Sequence, residues 1–221
     1  MAIGKVEICG VNTAKLPLLT TEEKNTLFAQ IQNGDQHARE KYIEGKNEFY
    51  TIGKASGTPI KLFMEEVNSK DIDIEYIGVI EGEQISKNYY NIRYNSYKSS
   101  PLNYEDPKAD AWDAIVLEVL ERQFAEKYDL LPSDTETKAY TEDIRQAYEN
   151  DDDGRALLQS SLSGMDMSSD EYWEYHERFL APLALTHYNV QTYIEENNLP
   201  ALSIEDAQWE ITNMEYYESL E

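Results

Sequence analysis

Apolar residues recur along this chain at two periods, and the longer period dominates. Trp112, Ile115, Val116, Val119, Leu120 and Phe124 stand at i, i+3, i+4 spacing and predict an amphipathic helix from Ala109 to Tyr128. Three stretches carry the sequence of a capping box, a hydroxyl residue followed three positions later by Glu: Thr20–Glu23, Ser133–Glu136 and Ser168–Glu171. The first predicts a helix to about Gln32 with Leu27, Phe28 and Ile31 on one face. The second predicts one to about Glu149. The third opens a long helix to about Asn197, kinked at Pro182. Ile60 to Val67 fits a short helix, Ser86 fits an N-cap for Lys87–Tyr97, and a short helix follows Gly154 to Leu162. Ser203 is expected to cap a last helix carrying Trp209, Ile211, Met214 and Tyr217.

The shorter period occupies one place. Ile72, Ile74 and Tyr76 alternate with acids, Ile77 to Ile80 continues them, and Glu81-Gly82-Glu83 reads as a turn before Gln84-Ile85. The predicted fold is therefore mainly α with a small β-hairpin near 72–86.

Charge changes the picture. The net charge is -24, and it is unevenly placed. Residues 1–100 hold 12 Lys and Arg against 14 Asp and Glu, whereas 101–221 hold 7 against 29. Such a second half repels phosphate backbones, so direct nucleic-acid binding is not expected there, and basic polypeptide segments are the natural partners. A mean hydropathy of -0.66 and the lack of a long apolar run predict no membrane span. No secretory h-region is evident, so the chain as written is expected in the cytoplasm; a secreted chain whose signal had been removed would read the same.

Candidate chemistry is sparse. One Cys, Cys9, allows no internal disulfide and no Cys-rich zinc site. His37, His176 and His187 have no metal-ligand spacing, and no nucleophile–base pair is evident. Glu149–Gly154 has the acids of a calcium loop, yet Ser160 stands where a bidentate Glu is required. Gly53–Gly57 matches no phosphate-binding fingerprint. No catalytic residue, metal or cofactor is expected.

Two stretches resemble known families. Residues 5–45, KVEICGVNTAKLPLLTTEEKNTLFAQIQNGDQHAREKYIEG, resemble the N-terminal region of a sporulation sigma factor of the sigma-G type, with the phrase IQNGDQHAREKYIEG similar to region 1.2. The resemblance stops at Lys46-Asn47-Glu48, and the promoter-melting and promoter-reading helices are absent. It implies docking onto a sigma partner, an anti-sigma factor or core RNA polymerase, through Leu16, Leu18, Leu27, Phe28 and Ile31.

Residues 79–200 resemble the N-terminal chaperone domain of the SurA/PrsA/trigger-factor group. VIEGEQISKNYYNIRYNSYK is similar to its strand, turn and capped helix, and AWDAIVLEVLERQFAEKYDLLPSD to its next helix. That resemblance implies a multi-helical SurA N-terminal-like fold and binding of unfolded or extended polypeptides, without prolyl isomerase activity. The candidate peptide-binding residues are Tyr89, Tyr90, Tyr94, Tyr97, Tyr172, Trp173, Tyr175 and Phe179, since Tyr offers wide contact at low entropy cost.

The expected organisation is a sigma-like segment at 1–46, a connection with a short strand at 47–78, and a helical chaperone-like domain at 79–221. The leading expectation is a non-enzymatic polypeptide-binding protein with a sigma-like appendage. The alternatives are a sporulation transcription regulator working through 5–45, and a fusion without a unified function.

Overall fold

The computed structural model describes residues 57–69, 72–100 and 104–220. It is mainly helical, with a three-stranded antiparallel sheet of order β2-β1-β3. Helix α1 covers 57–68. Strands β1 (Tyr76–Ile80) and β2 (Glu83–Ser86) form the predicted hairpin. Its two-residue turn holds Glu81 at φ 48° and Gly82 at φ 82°, the positive-φ pair that matches strand twist. The alternation over 72–75 does not become strand: Glu75 C=O accepts from the Lys87 N–H at 2.8 Å, residues 72–74 have no ladder partner among the described residues, and Ile72 is exposed.

Helices α2 (Lys87–Lys98) and α3 (Pro107–Tyr128) pack on the hairpin. Ser86 caps α2 by accepting from the Tyr89 N–H at 3.1 Å. Asp106 caps α3, which starts two residues before the predicted Ala109 because Pro107 suits the first helical position. Both capping boxes among the described residues close in both directions. Glu136 and Glu171 accept from the N–H of Ser133 and Ser168, at 2.8 and 2.7 Å, and head α4 (Asp134–Glu149) and α6 (Ser169–Tyr175). These bonds hold both carboxyls below the usual range, with the Ser133 hydroxyl leading at Glu136 and the Ser168 backbone at Glu171. Between them lies α5 (Asp152–Met165), capped by Asp151, which accepts from the Gly154 N–H at 2.8 Å.

The predicted kink at Pro182 takes a specific form. A π-helical turn, His176–Leu180, separates α6 from α7 (Ala181–Glu196), and the Ala181 N–H donates to His176 C=O five residues back. Pro182 has no N–H and would crowd the carbonyl four residues before it in a regular helix. The wider turn accommodates it.

The C-terminal segment corrects the expectation of one helix capped by Ser203. Ser203 caps only a 3-10 turn, Ile204–Asp206. Trp209–Ile211 is β3, paired antiparallel with β1, and a short helix α8 (Met214–Ser219) follows. The reason is tertiary: β1 has a free side, and β3 satisfies it.

The largest core cluster joins the hairpin to α2 and α3 through Ile77, Ile80, Ile85, Tyr90, Trp112 and Ile115, with Ile211 and Tyr217 packed against it. A second cluster joins α1 to the rest through Ile60, Ile92, Leu162, Met165 and Tyr175. Thus β1 runs across the expected boundary after residue 78, and α1 packs on the helical body. No helix among the described residues is long and apolar enough to cross a membrane.

Gly78 sets the spacing at the sheet. A Cβ there would lie 2.4 Å from Glu210 O and 2.6 Å from the Trp112 ring. Gly78→Ala is expected to lower stability by about 2 kcal/mol, from overpacking at β3 and Trp112. Urea unfolding checks this, and Gly82→Ala, where a Cβ meets no atom, provides the contrasting turn-strain control.

Candidate functional site

The described surface is shaped by a groove beside the π-turn. Its floor is α3, where Glu118, Val119 and Arg122 face upward. One wall is α1 with Phe63, Glu66 and Val67, extended by Tyr76 and Ile85 of the hairpin. The other is the π-turn and α7, with Arg178, Phe179, Pro182 and Leu183. This cavity measures about 450 Å³. A second, of about 560 Å³, runs on between α3 and α7 towards Leu131, Pro132 and Asp134. The two share Glu118, Arg122, Arg178, Pro182 and Leu183, so they adjoin along one face of α3 and α7.

The groove is apolar with charged edges. Phe63, Tyr89 and Phe179 make an aromatic trio with centroids 4.8 to 5.5 Å apart. Arg122 pairs with Glu83, and Arg178 bonds to Asn68 and Glu174. Beneath the floor, Arg93 forms a buried ion pair with Glu118, which also accepts from the Tyr89 hydroxyl. Removing either member would strand a charge inside, so this pair fixes the crossing of α2 on α3. Nearby, buried Glu121 accepts from Gln191 at 3.2 Å and faces His187 Nδ1 at 2.8 Å, tying α3 to α7.

The predicted peptide-binding residues divide. Tyr89 and Phe179 are half-buried and line the groove. Tyr172 is half-buried, edge-on to Trp173. Tyr90, Tyr94, Tyr97, Trp173 and Tyr175 are buried, so their rings belong to the packed interior and not to an open surface. Tyr90 donates its hydroxyl to Lys108 C=O at 3.1 Å, and burial, followed by the neighbouring Tyr217, pushes its phenol far above the ordinary value. Helical periodicity gives no measure of burial for Tyr, and that is why the two groups read alike. Sequence reasoning missed Phe63, Val67 and Leu183. The Pro182 kink was the available signal for the last of these.

Leu16, Leu18, Leu27, Phe28, Ile31, Cys9 and His37 lie outside the described residues. No group of three His, Cys, Asp or Glu that could hold a metal ion occurs among the described residues. In the acidic turn, Asp151 serves as a helix cap and Asp152 pairs with Arg155.

With this geometry in hand, similarity to known proteins is confined to one stretch. The RNA polymerase sigma-G factor of Clostridium acetobutylicum is 56% identical over 45 residues, 20% of this chain and 18% of that protein. The RNA polymerase sigma-G factor of Bacillus subtilis (strain 168) is 56% identical over 46 residues, again 20% and 18%. The chain thus contains a sigma-G-like segment and spans less than a fifth of the length of these relatives. No family model matches the chain, and no solved structure matches it. The resemblance of 79–200 to the SurA group therefore has no counterpart in these comparisons.

His176 is a buried titratable group on the π-turn whose later residues Arg178 and Phe179 line the groove. It is 4% exposed, its Nδ1 lies 2.9 Å from the Thr141 hydroxyl, and burial lowers its pKa from 6.5 to about 4. The π-turn carries this ring inward against α4. Because the folded value is depressed, the unfolded chain binds the extra proton between pH 6.5 and 4. Stability from neutral His176 is complete above that window and is lost as pH falls through it, by about 3 kcal/mol. Relative to His176→Gln, the unmodified chain is expected to lose that amount between pH 7 and 4, measured by urea unfolding at each pH.

Proposed function

We propose that this chain is a non-enzymatic interaction protein of bacterial transcription, with residues 5–45 as its docking element. The observation that carries this reading is the 56% identity to sigma-G factors over 45 residues. Partners that handle a sigma factor's N-terminal region, an anti-sigma factor or core RNA polymerase, are the expected targets. The acidic body acts as a scaffold: with 7 basic against 29 acidic residues after residue 100, it would repel promoter DNA. Promoter recognition does not carry over. In the full chain, Leu27→Asp with Ile31→Asp is expected to weaken capture of core polymerase or an anti-sigma factor at least about tenfold, the effect of removing one well-buried anchor. Equal capture by the variant, or none by either chain, would sink the reading.

A second reading, binding of extended polypeptides, is favoured by the groove itself. Its Phe63–Tyr89–Phe179 trio and the 52% exposed Val67 offer apolar area that the chain leaves uncovered among its described residues. If the groove holds clients, the full chain slows aggregation of a denatured substrate protein and Val67→Asp reduces that protection at least about threefold. Protection unchanged by Val67→Asp would remove the groove from the account.

A further inference from the structure

β3 has a strand neighbour on one side only among the described residues. The register says which of its backbone groups face the free side. The two-residue turn makes Ile80 and Glu83 the hydrogen-bonded pair that closes the hairpin, and such pairs alternate from there. Val79 therefore turns its N–H and C=O away from β2 and towards Glu210, its partner on β3. The bonds on either side agree. Glu81 N–H donates to Gln208 C=O at 2.7 Å, and Thr212 N–H donates to Ile77 C=O at 2.9 Å. Residues 208, 210 and 212 thus face β1. The N–H and C=O of Trp209 and Ile211 face outward, four strand groups with no ladder partner among the described residues.

Proteins blunt such edges by shortness and by charge, and β3 has both. It is 3 residues long. Glu210 lies on it and Glu205, Asp206, Glu215 and Glu218 flank it in sequence, all exposed, and no Lys or Arg follows Arg178 in the sequence. Lys87 and Lys108 reach this region only over the rings of Tyr216 and Tyr217, 4.3 and 5.5 Å from their centroids. Trp209 and Met214, each 48% exposed, add apolar contact. This edge is closed to its own kind. A second copy pairing along β3 would set acid against acid between two chains of net charge -24. The same charges favour a cationic strand.

We propose that the free edge of β3 receives an extended, Lys- or Arg-bearing polypeptide segment as a fourth strand. Main-chain bonds from Trp209 and Ile211 set its register, and the flanking carboxylates select it. No residue of this edge belongs to the sigma-like segment or lines the groove, so the proposal stands or falls independently of the readings above.

The test uses the full chain with a blocked Lys-Val-Lys-Val-Lys-Val peptide, read by hydrogen exchange at single amides. The peptide is expected to slow exchange at Trp209 and Ile211 at least about tenfold, as pairing of exposed amides does. A Glu-Val peptide of equal length and a backbone N-methylated Lys-Val peptide are expected to give no protection. Glu210→Lys, which keeps the backbone bonds to Val79, is expected to weaken binding about fivefold. Four results would overturn the proposal: no protection at these amides, equal protection by the Glu-Val peptide, protection confined to other elements, or protection that grows with protein concentration without peptide, which would put a second copy on the edge.

Discussion

The described fold turns on the approach of Trp112 to Gly78. Trp112 is 2% exposed, with its ring 6.0 Å from Tyr90 and 5.9 Å from Trp209. It therefore touches the hairpin, α2 and the returning C-terminal strand at once. An indole buries more area than any other side chain, and that area is gained only if the facing backbone has no Cβ in the way. Gly78 supplies that space, and the same space lets β3 lie against β1. One local condition thus joins residues about 130 positions apart in the sequence. It gives the sheet its third strand and closes the core over α3.

Helix starts were legible because caps are local. Ser86, Ser133 and Ser168 each satisfy amides three residues away, and no distant part of the chain alters that geometry. The hairpin turn was legible for the same reason. β3 was not. Trp209 and Ile211 alternate around Glu210, while Trp209, Met214 and Tyr217 fit a helical stripe. Local spacing supports either, and only the unpaired side of β1 decides between them. The alternation at 72–75 failed in the opposite sense, since no strand among the described residues pairs with 72–74. Pro182 marked the place where the long helix changes, but the change is a π-turn, whose form depends on how the helix packs His176 against Thr141.

Half of the groove could be read in advance. Tyr89 and Phe179 belong to helices whose faces the sequence outlined. The wall from α1 could not be foreseen, because Phe63 meets Tyr89 and Phe179 only once α1 docks through the second core cluster, which holds Ile60, Ile92 and Met165. Tyrosine was the misleading residue type. Of the four on α2, Tyr89 lines the groove, whereas Tyr90, Tyr94 and Tyr97 fill the interior. The number of tyrosines on a helix therefore says little about where a polypeptide could be held.

Charge ties these pieces together and limits what they can do. The sigma-like segment lies in the nearly neutral first hundred residues, and the acids lie on the helical body. A sigma factor needs basic helices to hold promoter phosphates, and this body has the opposite sign. If the segment docks as proposed, it brings to its partner an acidic surface that keeps DNA away and attracts basic polypeptide. Such a protein would compete with a sigma factor for a binding partner without substituting for it on the promoter. Engaging core polymerase would hold a sigma factor off, and engaging an anti-sigma factor would release one; in either case the sign of the body's charge keeps this chain itself off the promoter.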